Sequence, residues 1–216
     1  MSVLSARGVT RAFDHPDGAV QVLRGVDLDV AAGELVTVSG RSGSGKSALF
    51  AVLCGFDTPD AGQVRIGGEP LPAVPAWADC AVLPQAMGLA GELTLAENVA
   101  LPLRLARRSG VAERVAELLG GLGIEQLADR YPPEVSYGQQ QRAALARAVA
   151  ARPRVLLADE PTAHLDHGSV AAVLGLLRRT AEEGAAVLVA THHDLVHEIA
   201  DRRLVLTGGR LAPATA

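Results

Sequence analysis

Lysine is almost missing from this 216-residue chain: Lys46 is the only one, and every other basic side chain is arginine. Such a composition points to a position where a compact ammonium cannot be exchanged for a broad guanidinium fork. Aromatic residues make up only 3%, with a single tryptophan at Trp77, so aliphatic packing has to carry the core. The two cysteines, Cys54 and Cys80, form no close metal-ligand pair and read as reduced thiols of a reducing compartment. No apolar run approaches the ~18 residues that span a bilayer, and Met1 to Gly8 lacks the apolar stretch of a signal peptide. A cytosolic chain is therefore expected, with any membrane work left to another protein. Excess basic charge is missing too: the net charge is −4 and the pI about 5.9, which leaves no global field for nucleic acid or an anionic membrane surface. Internal repeats and low-complexity tracts are absent. With 49% hydrophobic residues the length suffices for a sizeable core in one domain, with room for a subdomain.

What is present starts at the lone lysine, which sits in Gly40-Arg41-Ser42-Gly43-Ser44-Gly45-Lys46-Ser47. The pattern G-x-x-x-x-G-K-[ST] is a phosphate-binding P-loop. Its glycines let backbone N–H groups curl around phosphate oxygens, its lysine reaches the β- and γ-phosphates, and its serine hydroxyl helps to hold Mg²⁺. The flanks support it. Glu34 to Ser39 reads as a buried strand, and Ala48-Leu-Phe-Ala-Val-Leu-Cys54 as an apolar helix whose N-terminus faces the phosphates.

A second site follows the apolar run Val155 to Ala158, which ends in Asp159-Glu160-Pro161. Ligands of open parallel sheets gather at the carboxyl ends of strands, where the P-loop also opens. Asp159 is then placed to help hold Mg²⁺ beside Ser47, and Glu160 to polarise a water for in-line attack on a γ-phosphate. Together the two motifs indicate nucleotide hydrolysis, without showing what the energy drives.

Residues 1–32 read as short, antiparallel strands around a turn at Asp14-His-Pro-Asp-Gly18, with Val26-Asp27-Leu28-Asp29-Val30 alternating like a half-buried strand. From Gly33 the style changes to buried strands alternating with helices; Glu34–Ser39, Val155–Ala158 and Ala186–Ala190 are continuous apolar runs suited to a parallel sheet covered on both faces. Between roughly 90 and 150 there is no comparable strand. Val111, Val115, Leu118, Leu119 and Leu122 fall at helical spacing, and Gly138 to Ala151 reads as an alanine-rich helix. A helical insertion in an α/β core is expected, closed by Pro132-Pro133 and by Pro153.

The segment Val135-Ser136-Tyr137-Gly138-Gln139-Gln140-Gln141-Arg142 narrows the class further. Here the chain resembles the ABC ATPase family, whose signature reads Leu-Ser-Gly-Gly-Gln-x-x-Arg. The resemblance runs nearly full length, in order: Phe13 matches the aromatic that stacks on adenine, Gln85 the Q-loop glutamine, Ala163-His164-Leu165-Asp166 the D-loop and His192 the switch histidine. It implies the ABC ATPase fold, a P-loop NTPase core with a mostly parallel sheet, an N-terminal antiparallel β-subdomain and an α-helical insertion. The divisions implied are 1–32 for the antiparallel region, 33–89 and 152–216 for the nucleotide-binding core, and 90–151 for the helical subdomain.

The resemblance also implies a pair. Signature residues Ser136, Gly138 and Gln139, with Asp166, meet the nucleotide held by the partner's P-loop, so two ATP molecules glue two subunits and hydrolysis releases them. Residues Gly40 through Ala48 hold the phosphates, Glu160, His192 and Gln85 carry catalysis, and Ser47, Gln85 and Asp159 take Mg²⁺. The partners implied are ATP, a second ATPase subunit, identical or not, and an integral-membrane permease, with no nucleic acid. The chain is then cytoplasmic and peripheral on the inner face of the membrane. Within the family it looks most like the lipoprotein-release, macrolide-export and cell-division group, which favours export or extraction; the alternative is an ATP-gated regulatory switch on a membrane partner, with slow turnover.

Some residues depart from the pattern. Tyr137 stands where the family has the first of two glycines; either the site needs φ > 0, at about 1–2 kcal/mol, or it is already helical and the ring only fills space. Ala48 replaces a hydroxyl, removing a phosphate hydrogen bond worth about 0.5–1.5 kcal/mol. Phe13, in place of the usual tyrosine, is either a stacking face or a core aromatic. His193 and His197 fall at i, i+4, which a structural metal could use, whereas the ATPase reading puts His197 on a solvated face. Arg104, Arg107 and Arg108 read as a solvated face or as contacts to lipid headgroups or a permease.

Overall fold

A computed structural model describes residues 2–16 and 18–214 of the chain. The N-terminal region forms two 12-residue strands, β1 (Ser2–Phe13) and β2 (Val20–Ala31), longer than the short strands expected. They pair antiparallel, with Leu4 opposite Val30 and Phe13 opposite Val20. Along β2, Val26, Leu28 and Val30 are buried while Asp27 is exposed, as the alternation requires. Asp17 of the expected turn lies outside the described residues. This sheet also recruits β4 (Ala61–Ile66) and β5 (Glu69–Pro70), in the order β2-β1-β4-β5.

A second, six-stranded sheet is built from β3 (Leu35–Ser39), β6 (Cys80–Leu83), β7 (Val155–Asp159), β8 (Ala186–Ala190), β9 (Arg202–Thr207) and β10 (Arg210–Pro213). Its order is β10-β9-β3-β8-β7-β6, and every pair is parallel except β9 with β10. Both faces are covered. Leu156 and Ala158 of β7 pack into the core shared with the helical region, while Val155 and Leu157 pack toward the antiparallel sheet. That two-sided burial is why these strands are continuous apolar runs. Truncating Leu157, fully buried in β7, to alanine costs about 2–5 kcal/mol.

Three helices form the middle of the chain: α2 (Leu95–Leu105), α3 (Val111–Gly121) and α4 (Tyr137–Ala150). The first starts at a capping box in which Thr94 Oγ1 accepts from Glu97 N and the Glu97 carboxylate accepts from Thr94 N. Helix α3 buries Val115, Leu118 and Leu119, the stripe visible in the sequence. Helix α1 (Lys46–Leu53) follows β3, and α5 (His167–Glu182) and α6 (Asp194–Glu198) flank β8. Among the described residues no helix is long and apolar enough to cross a membrane.

Strand order decides where the chemistry falls. The neighbours β3, β8, β7 and β6 are followed by, respectively, the P-loop, His192, Glu160 and Gln85. Parallel pairing sends all four carboxyl ends to one edge of the sheet.

Candidate nucleotide site

Gly40 to Gly45 turns between β3 and α1. Gly45 has φ 101° and caps α1, and a Cβ there would lie 2.8 Å from Val22 Cγ1. Only glycine lets the loop pass this close to β2. No side chain caps α1, so its first N–H groups face outward at the positive end of the helix dipole. Lys46 Nζ donates to Gly40 O at 2.6 Å and lies 3.2 Å from His192 Nε2. An ammonium only donates, so that imidazole nitrogen accepts. Ser44 Oγ is buried without a hydrogen-bond partner inside the loop. An orphaned hydroxyl in the loop that leads to the uncapped N-terminus of α1 fits phosphate oxygens.

Asp159, the last residue of β7, and Ser47 on α1 face each other. Burial, then the charge of Glu160, pushes the Asp159 carboxyl above its ordinary value, while Lys46 and the Ser47 hydroxyl pull it back. Glu160 adopts φ 50°, left-handed for a residue with a Cβ. Its backbone is held at both ends: its N–H donates to Ala190 O at 2.9 Å, and its carbonyl accepts from Gln141 Nε2 at 2.6 Å. Strain of about 1–3 kcal/mol persists only where such anchors over-determine it. Thr191 Oγ1 donates to Glu160 Oε2 at 3.2 Å and accepts from His193 N at 3.0 Å; Glu160 Oε1 lies 3.9 Å from His192 Nε2.

A cavity of about 500 Å³ gathers these groups, bordered by Ser42 through Ala48, Gln85, Asp159, Glu160 and His192. Val22 borders it as well, a residue the sequence reading missed. A smaller hollow of about 230 Å³ shares Ser47, Gln85 and Asp159 and runs to Phe56. Beyond it a third, of about 370 Å³, is rimmed by the exposed apolar side chains Phe56, Val74 and Trp77.

Other expected residues stand apart from the cavity. Gly40 and Arg41 form its approach, Ser44 N donating to Arg41 O at 3.0 Å. Phe13 is 41% exposed, so it is not a core aromatic; the Arg11 guanidinium sits 4.9 Å from its ring centroid, itself held by Asp57 and Asp60. Ser136 caps α4, with Ser136 Oγ accepting from Gln139 N and Gln139 Oε1 from Ser136 N. Gly138 packs under the D-loop, where a Cβ would lie 3.0 Å from His164 O. Asp166 caps α5, and the N–H and hydroxyl of Ser169 hold its carboxyl below the ordinary value.

Tyr137 is the first residue of α4 and has no positive φ, so the position is already helical, but its side chain does more than fill space, because its hydroxyl donates to the Gln85 carbonyl. His197 is not on a solvated face: its Nδ1 meets Thr37 Oγ1 of β3 at 2.8 Å, and burial lowers its pKa. Among the described residues no group of His, Cys, Asp and Glu is arranged to hold a metal. Cys54 and Cys80 are free and buried, and burial pushes Cys80 up to about 12.

A parallel sheet with a P-loop after a central strand, an acidic pair after a strand two places away, and a helical insertion define a nucleotide-binding cassette. Residues 23–163 match the family described as ABC transporter, and the chain belongs to that family of ATP-binding, transport-coupled ATPases. It is 39% identical to the lipoprotein-releasing system ATP-binding protein LolD of Gluconobacter oxydans, over 98% of this chain and 96% of the relative. It is 38% identical to the methionine import ATP-binding protein MetN of Rhodospirillum rubrum, over 97% of this chain but 62% of that longer relative. Among solved structures it resembles a dimeric ATP-binding cassette in a post-hydrolysis state bound to ADP and Pi, at TM-score 0.89 and 30% identity, over 99% of each chain.

Proposed function

We propose that the chain closes as a pair around two Mg-ATP and so drives a separate integral-membrane permease, in export or extraction. The convergence of Lys46, Ser47, Gln85, Asp159, Glu160 and His192 on one cavity carries this reading. The N–H groups of Gly43 through Ala48, with Lys46, receive the β- and γ-phosphates; Val22 and Phe13 lie toward the nucleoside end. Glu160 takes the proton of the attacking water, and His192 hydrogen-bonds the γ-phosphate. Ser47, Asp159 and Gln85 supply the all-oxygen donor set that suits Mg²⁺, which neutralises charge on the transferring phosphoryl group.

Ser136, Gly138, Gln139 and Asp166 act on the partner's nucleotide. The Ser136 oxygen accepts from Gln139 N, which leaves its O–H free to donate to a phosphate at the start of α4. Residues 90–151 form the helical unit of this engine, against a core drawn from 33–89 and 152–216 and an antiparallel region at 1–32 whose sheet β4 and β5 extend. The permease contacts the apolar rim of Phe56, Val74 and Trp77, which the chain of hollows connects to Gln85. For direction, the match along the whole length of the lipoprotein-releasing relative favours export or extraction over import.

Hydrolysis by a pair tests the reading. Phosphate release per subunit should rise with protein concentration and level off once dimers dominate; a rate per subunit independent of concentration, with monomers confirmed, would contradict it.

A further inference from the structure

Tyr137 is 44% exposed, yet both ends of its side chain are engaged. Its hydroxyl donates to the Gln85 carbonyl at 3.2 Å, and its ring meets His164 edge-on, with centroids 4.8 Å apart at 62°. Gln85 follows Pro84 and precedes a turn in which Met87 and Gly88 have positive φ. Among the described residues no other hydrogen bond reaches Gln85. The phenol is thus the hydrogen-bond partner of the main chain at the residue that borders the cavity beside Ser47 and Asp159.

Across the cavity, α4 also holds the wall formed by Glu160. Gln141 Nε2 donates to the Glu160 carbonyl, and Gly138 permits close approach to the backbone of His164, a non-glycine residue at φ 60°. One helical turn therefore touches the loop of Gln85 and the loop that follows Glu160. A glycine at position 137 could make neither side-chain contact, so the departure from the signature has a physical consequence.

We propose that Tyr137 is a positioning residue for ATP hydrolysis, setting the Gln85 side chain at the metal side of the cavity through the hydroxyl bond to the Gln85 carbonyl. This rests on the reading of Gln85 as an oxygen ligand. Tyr137→Phe keeps the ring, the helix and the His164 contact and removes only the tether. Loss of a hydrogen bond of this kind corresponds to about a three- to tenfold change in an equilibrium constant.

The experiment compares the natural chain with Tyr137→Phe, Gln85→Ala and the double variant. Mn²⁺ affinity is read from the electron paramagnetic resonance of free Mn²⁺ in the presence of a saturating non-hydrolysable ATP analogue, and kcat from phosphate release. Each single variant is expected to weaken Mn²⁺ binding about three- to tenfold. The double variant is expected to match Gln85→Ala, because the tether then has no ligand to place. A silent Tyr137→Phe beside an affected Gln85→Ala overturns the role of Tyr137 alone. A silent Gln85→Ala overturns the reading of Gln85 and the proposal with it, and effects that multiply in the double variant show that Tyr137 acts by some other route.

Discussion

Glu160→Gln is expected to lower kcat by roughly 10²–10⁴-fold while the dissociation constant for ATP changes less than about threefold. The substitution exchanges one carboxylate oxygen for an amide nitrogen of similar size. The strained backbone at φ 50° is untouched, because its anchors at Ala190 O and Gln141 Nε2 involve only main-chain atoms of Glu160. The amide oxygen can still accept from Thr191 Oγ1, so the local cost is the difference between a charged and a neutral hydrogen bond, about 1 kcal/mol. That is too little to unfold a domain of this size. The phosphate loop contributes none of the altered atoms. Asp159 gains, since the charge of Glu160 is the second cause of its raised carboxyl pKa. On the proposed role of Glu160 only the proton acceptor for the attacking water is lost, and the fall in kcat corresponds to about 3–5 kcal/mol of barrier. Phosphate release at saturating Mg-ATP, beside equilibrium binding of a fluorescent ATP analogue, separates the two quantities. Turnover within threefold of the natural chain, or a matching loss of binding, would refute the assignment of Glu160.

Lys46→Ala should abolish measurable nucleotide binding, because Lys46 is the only ammonium in the phosphate loop; a fluorescent nucleotide titration that still saturates would show that the backbone N–H groups suffice. Gly45→Ala forces a Cβ into φ 101° and against Val22 Cγ1, so a loss of at least about 1–2 kcal/mol is expected. This appears as a fall in Tm of roughly 2–8 °C by calorimetry, and an unchanged Tm would contradict the close passage of loop and strand. Asp201 predicts a pH effect. Burial opposes ionisation, but Leu35 N–H at 2.7 Å and the Arg178 guanidinium at 2.9 Å outweigh it and hold the carboxyl below its usual range. A depressed folded pKa gives stabilisation that is complete above the unfolded value, near 4, and lost as pH falls through the folded one. Asp201→Asn should therefore lower Tm at pH 7, with the gap from the natural chain closing toward pH 3; a gap constant with pH would refute it.

The chemistry was legible where it demands particular residue types at short spacing. Gly40 to Ser47 is contiguous, and Asp159-Glu160 ends an apolar run whose two-sided burial dictates its composition. Residues brought together by topology alone were not legible. Nothing in the sequence places β8 between β3 and β7, so the bonds of Thr191 to Glu160 and of Lys46 to His192 could not be read. Val22 lacks any chemical mark and borders the cavity only because β2 passes Gly45. His197 illustrates the reverse error: Asp194, Leu195 and Glu198 of its short helix are exposed, but its partner Thr37 lies 160 residues earlier on β3. Strands β4 and β5 stayed hidden because Gly62, Gly67, Gly68 and Pro70 break the alternation that marks β2.

Closure of two copies over nucleotide is the central claim, and the solution mass of Glu160→Gln tests it most directly. Light scattering should find monomer without nucleotide and a stable dimer with Mg-ATP, since binding persists and the step that releases the pair is blocked. A monomer that stays monomeric at saturating Mg-ATP would contradict closure by the start of α4 over a partner's phosphates.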